Sequence, residues 1–305
     1  MDKLGQKRLN NGSLPVNPIL NVYAGMLADV IEERRVPLEA RELLPRITNL
    51  ENVDITTREI LIPKYKYDGK ALITDLKPKT VPVIAADTEV IRVPLKFISI
   101  GIEQDPNKKD DILNGKIYPI KEVEKAMRVV AETENNFILN GFEQLGVKGF
   151  NDETIAGAHV VAAGKSWATS TGEEILEDIL KLKKALTAQK KYEAKTLCIP
   201  HELDHLFDKT YTRKDGTEIV TGATLRQVLK DREYFENYKS ILGIKNPVGM
   251  EDTSNTLGYV EVLPIALDKP YTEGRSEIIP IEEKVSGFVL MEPEALAILT
   301  GANDE

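Results

Sequence analysis

The chain holds one cysteine, Cys198, and three histidines among 305 residues. One thiol allows neither an intramolecular disulfide nor a cysteine zinc cage. Its setting in the apolar run Lys195–Ile199 marks it as a small buried hydrophobe. No stretch approaches the ~20 consecutive apolar residues of a membrane-spanning helix. The opening MDKLGQKRLNNGS has no apolar signal-peptide core, so a chain made and used in the cytoplasm is expected. Phosphate-loop, dinucleotide-turn and G-x-S-x-G motifs are missing. Gly164-Lys165-Ser166 resembles only the tail of a phosphate loop and lacks its upstream glycine and strand. Basic residues are outnumbered by acidic ones, 40 to 49, for a formal net charge of -9. That balance argues against a protein whose task is to grip nucleic acid along a basic face.

What is there is core-forming material: 42% of the residues are hydrophobic. The longest ordered signal runs from Pro119 to Phe150. Val123, Met127, Val130, Phe137, Ile138, Phe142 and Leu145 recur at three- and four-residue steps, one face of an α-helix. Pro119 suits its first turn and Gly146 its end. A second amphipathic helix is expected over Gly172–Lys191, with Thr171 as N-cap. Further helices are expected over Ile19–Val36 (ended by Pro37), His201–Phe207 and Ala223–Tyr238. Thr56–Gln104 reads as a long hairpin with arms Thr57–Tyr67 and Glu89–Ile102. Its tip contains Asp68-Gly69 and the extended run Lys77–Pro82, which prolines bar from helix. Lys195–Ile199, Val260–Ile265 and Ile278–Phe288 read as strands. Met1–Pro18 reads as a polar arm, Asn151–Ser170 as a loop holding Trp167, and Arg213–Thr217 as a turn. The result is an α+β chain without internal repeats or low-complexity segments.

One run imitates catalysis. His201-Glu202-Leu203-Asp204-His205 fits H-E-x-x-H, in which two imidazoles one turn apart bind zinc and the glutamate acts as base. Pro200 places the pair in the first turn of its helix, and Asp204 adds a charge inside the motif. Glu218, Glu233 and Glu236 are only loose candidates for a third ligand. The competing reading is a strand-to-helix junction, with Leu203, Leu206 and Phe207 facing the core and the polar residues facing out. On this reading no residue is catalytic, cofactor-binding or metal-binding, and His159, among Ala and Val, is structural.

Three segments in order carry a family resemblance. Ala40-Arg41-Glu42-Leu43-Leu44-Pro45 resembles the segment before the extended loop in one large subfamily of tailed-phage capsid proteins. Glu122–Gly149, with Glu132 and Glu134 and the ending Gly141–Gly149, resembles their spine helix and the turn after it. Val285–Leu299 resembles their closing strand and tail. The chain thus resembles tailed-bacteriophage major capsid proteins of the Hong Kong 97 type, whose fold encapsulin shell proteins share. The resemblance implies an N-terminal arm (1–50), an extended loop with flanking strands (51–104) and a peripheral domain with the spine helix (105–192). It further implies an axial domain (193–275) and a C-terminal strand returning to the peripheral domain (276–305). It implies a structural protein, not an enzyme, that self-assembles into hexamers and pentamers of an icosahedral shell around double-stranded DNA, with no sequence-specific contact to it. No cofactor, metal or membrane is implied. Portal, scaffolding and decoration proteins are the candidate partners, and the location is the virion capsid, assembled in the host cytoplasm. An encapsulin-like protein compartment is the alternative, and a zinc hydrolase using His201, Glu202 and His205 a remote one. Lys70, Lys77 and Lys79 lie in the loop tip, where no motif marks them for cross-linking.

Overall fold

The computed structural model describes residues 39–48, 50, 53–68, 85–114, 120–162, 166–188, 191–213, 215 and 222–303. The expected arm at 1–18, the helix Ile19–Val36, the hairpin tip with Lys77–Pro82, and most of the Arg213–Thr217 turn lie outside these residues.

A short helix, α1 (Glu39–Leu43), opens the described chain. Asp54 then accepts the amides of Thr56 and Thr57 at 2.8 and 2.9 Å, an Asx-type turn. It leads into β1 (Glu59–Asp68), paired antiparallel with β2 (Ala85–Gln104) from Glu59 opposite Pro94 to Asp68 opposite Ala85. The expected hairpin is therefore present. Helix α2 (Pro106–Leu113) starts where Asp105 accepts the Lys108 amide at 2.9 Å and Pro106 fills the first turn. The long helix α3 is Ile120–Asn140, 21 residues or about 31 Å.

This helix stops five residues before the expected Gly146. Gly141 takes a left-handed φ of 71°, and a Cβ there would lie 2.3 Å from the Val147 carbonyl oxygen. The chain doubles back at once: β3 (Gly141–Phe142) pairs with β4 (Val147–Lys148) around a 3-10 turn, Glu143–Leu145. Phe142 and Leu145 continue the helical spacing in sequence, yet they are 45% and 49% exposed.

Strand β5 (Ala158–Val161) lies in the stretch expected to be loop. Helix α4 (Gly172–Thr187) begins in a capping box: Thr171 accepts the Glu174 amide while Glu174 accepts the Thr171 amide. Strand β6 (Thr196–Pro200) leads to α5 (His201–Asp204), a single turn continued as 3-10 helix over His205–Asp208. Helix α6 (Leu225–Asp231) has a second capping box, Thr224 with Gln227. The expected helix to Tyr238 is cut short. Glu233 takes φ 48°, Phe235 turns into the core at 2% exposure, and Tyr238 belongs to β7 (Asn237–Ile241). The remaining strands are β8 (Val248–Met250), β9 (Leu257–Gly258), β10 (Glu261–Leu267), β11 (Tyr271–Glu273), β12 (Ser276–Ser286), β13 (Val289–Leu290) and β14 (Leu296–Thr300).

The chain forms two compact units. Among the described residues, the first contains Phe97–Thr133 and Leu263–Glu283. Its strands lie in the order β2–β12–β10, with β11 on β12. Ile102, Ile112, Ile279 and Ile281 bury Val123, Ala126, Met127 and Val130 of α3. The second unit holds the other described residues around a five-stranded sheet, β5–β14–β8–β6–β7. β14 runs parallel to β5 and antiparallel to β8; β6 runs antiparallel to β8 and parallel to β7. Alternate residues supply two different cores, as a sheet covered on both faces requires. Leu197, Ile199, Ala297 and Leu299 pack with α4, Trp167 and Phe207. Cys198, Leu296 and Ile298 pack with Ala40, Leu43, Ile138 and Leu139. Cys198 is fully buried, as its sequence setting suggested. A further cluster in this unit joins Ile60, Val93 and Leu95 of the hairpin to Ile47, Val260, Val289 and Met291.

Candidate assembly surfaces

The hairpin has one built face and one open face. In an antiparallel pair, residues directly opposite each other point to the same side. Ile60 lies opposite Val93, and both are buried. Leu61 lies opposite Arg92, and Pro63 opposite Val90. Leu61 is 54% and Val90 50% exposed, with Glu59 and Arg92 paired beside them at 3.4 Å. These two large aliphatic groups lie on the solvent side of the hairpin, with no further layer over them among the described residues.

The segment before the hairpin is fixed by a chain of ions. Arg41 donates through Nε to both carboxylate oxygens of Glu134 on α3, at 2.9 and 3.0 Å, and its Nη2 lies 2.8 Å from Oε1. Its Nη1 lies 3.5 Å from Glu261, which Arg46 also approaches at 3.1 Å. The Tyr259 ring sits under the Arg41 guanidinium at 5.8 Å. The Ala40 amide donates to Asn135 Oδ1 at 3.0 Å, and the Tyr259 amide and carbonyl bond Pro45 and Ile47. Glu134 is fully buried. Burial pushes its carboxyl above the usual glutamate range, while the Arg41 guanidinium opposes that shift. Sequence reading alone gave no sign of this pairing beyond the Ala40–Pro45 match and the position of Glu134 within the helix.

A cleft of about 900 Å³ lies beside the hairpin base, lined by Lys64, Ile91, Tyr192 and Glu292 among others. Lys64 Nζ donates to Glu292 at 2.6 Å and to the Met291 carbonyl at 3.1 Å, and the Tyr192 hydroxyl donates to Glu292 at 3.0 Å. Burial, then the Glu292 carboxylate, pushes the Tyr192 phenol up, so it stays a donor. Lys64, Tyr192 and Glu292 are thus paired with one another across the cleft.

The H-E-x-x-H run lies at the junction of β6 and α5. His201 and His205 are both exposed. His201 Nδ1 is 3.1 Å from Ser240 Oγ, and His205 Nδ1 is 2.8 Å from the Glu202 carbonyl. Asp204 pairs with Arg226 at 2.9 Å, while Leu203, Leu206 and Phe207 are buried. Among the described residues, no three His, Cys, Asp or Glu side chains are grouped to hold a metal; Glu233 and Glu236 are exposed, and Glu218 lies outside those residues.

The fold is that of phage capsid proteins. The capsid protein of Myoviridae phage XM1 superposes with a TM-score of 0.62 at 14% identity, over 81% of this chain and 86% of that one. A structure from Mycobacterium phage Adephagia gives 0.59 at 10% identity over 98% and 97%. The virus-like particle from Pyrococcus furiosus gives 0.55 at 17% identity over 92% and 99%. No curated protein matches the chain significantly. The family model described as major capsid protein matches residues 69–256, more than half of the chain, and the chain belongs to that family. It is a structural capsid protein, not an enzyme, and its place is the capsid of a virion.

Proposed function

We propose that copies of this chain associate as hexamers and pentamers and close into an icosahedral shell around double-stranded DNA. The open face of the hairpin carries this reading: Leu61 and Val90 stay about half exposed, with no covering layer among the described residues. Aliphatic groups gain by leaving water, so a neighbouring copy is the natural cover. The five-part division is retained: arm 1–50, extended loop 51–104, peripheral domain 105–192, axial domain 193–275 and closing strand 276–305. The net charge of -9 supports a wall that encloses DNA without reading its sequence. Assembly takes place in the host cytoplasm, with portal, scaffolding and decoration proteins as candidate partners. Electron cryo-microscopy of particles from producing cells, with nucleic acid and protein content assayed, tests this. Closed particles with five- and six-fold capsomers and double-stranded DNA are expected. Particles filled with a protein cargo would replace DNA enclosure by an encapsulin-like role, and chains that never leave the monomeric state would overturn both.

A further inference from the structure

We infer that Arg41 and Glu134 are positioning residues for shell assembly, setting how the hairpin is held relative to the end of the spine helix. The inference rests on the assembly reading above. Its geometry comes from segments far apart in sequence. Glu134 and Asn135 lie on α3 and hold Arg41 and the Ala40 amide. Arg41 and Arg46 both reach Glu261 at the start of β10. Tyr259 clasps Pro45 and Ile47 through its backbone, and Ile47 packs with Ile60, Val93 and Leu95 at the hairpin base. The ion pair therefore stands between the spine helix and the root of the element proposed to reach the neighbouring copy.

An ion pair is a poor choice here if stability alone is at stake. Desolvating a carboxylate such as Glu134 costs about as much as its pairing returns, and apolar replacements of similar volume are often neutral or stabilising. What the pair adds is direction. A guanidinium bound through several N–H groups to one carboxylate fixes both planes, which packed aliphatic groups do not. A shell repeats any angular error in every copy, so direction at this joint matters more than strength.

The test separates positioning from mere support. In the double variant Arg41→Met, Glu134→Leu, the subunit is expected to keep a thermal midpoint no lower than the parent's, yet to lose most of its regular closed particles to irregular or open ones. Arg41→Lys keeps the charge but not the fork; it is expected to fold and show the same loss of regularity. Regular shells from a folded double variant overturn the inference. If the double variant does not fold, Arg41→Lys decides: regular shells from it overturn the inference, irregular ones uphold it. The parent chain is assembled in parallel, and its failure to form shells would count against the assembly reading rather than against this joint.

Discussion

At the scale of single residues, the turn that ends the spine helix separates two uses of glycine. Gly141 and Gly146 both have positive φ, 71° and 65°. A side chain at Gly146 would meet open space, whereas at Gly141 it would strike the Val147 carbonyl. Gly146→Ala therefore carries only the left-handed penalty, about 1–2 kcal/mol. Gly141→Ala adds a backbone clash and is expected to cost about 3 kcal/mol or more. Thermal unfolding of both variants checks the order, and equal midpoints would refute the close-approach argument. Asp152 offers a pH counterpart. Its carboxylate accepts the Thr154 hydroxyl and amide at 2.6 and 2.9 Å. These bonds, the hydroxyl's first, hold its pKa below the ordinary aspartate value. A depressed folded pKa means a contribution present above the unfolded value of about 3.9, lost as pH falls through the folded value. An NMR titration of Asp152 should show the depressed midpoint, and Thr154→Ala should move it upward. A midpoint unmoved by that substitution would assign the shift elsewhere.

At the scale of elements, the hairpin makes the sharpest demand, because neighbouring residues on one strand face opposite fates. Ile60→Asp places a charge in the cluster with Val93, Leu95 and Val289 and is expected to unfold the hairpin base. Leu61→Asp with Val90→Asp changes only the open face, so the subunit should keep its circular dichroism and thermal midpoint but no longer assemble. If the open-face variant assembles like the parent, the ribbon is covered by its own chain and the interface lies elsewhere. The hairpin, α4 and the first half of α3 were legible because their period and caps are local. The end of α3 is not legible because Phe142 and Leu145 prolong the helical spacing into a turn that presents them to solvent. The end of α6 is hidden in the sequence because Phe235 and Tyr238 look like the next apolar turn, although they enter a core and a strand. The parallel pairing of β14 with β5 joins segments about 140 residues apart, and the Arg41–Glu134 pair spans 93. Neither leaves a periodic signal, so local pattern could not disclose either.

At the scale of the whole molecule, charge decides what kind of cohesion a shell of these chains needs. Each copy carries a formal -9, and closing many copies together brings like charge to close quarters. The features offered for contact, Leu61 and Val90 above all, are apolar, and burial of apolar surface is not weakened by moderate salt. Repulsion between copies, in contrast, is screened: the Debye length falls from about 30 Å at 0.01 M to about 8 Å at 0.15 M ionic strength. Individual contacts can be weak, since repetition across a closed array multiplies them. Raising ionic strength over that range at fixed protein concentration is therefore expected to increase the assembled fraction, followed by light scattering and sedimentation. A decrease would mean that opposite charges across the interface outweigh the net repulsion. In that case the Glu59–Arg92 pair on the open face, now satisfied within one copy at 3.4 Å, is the first place to look for exchange with a neighbour.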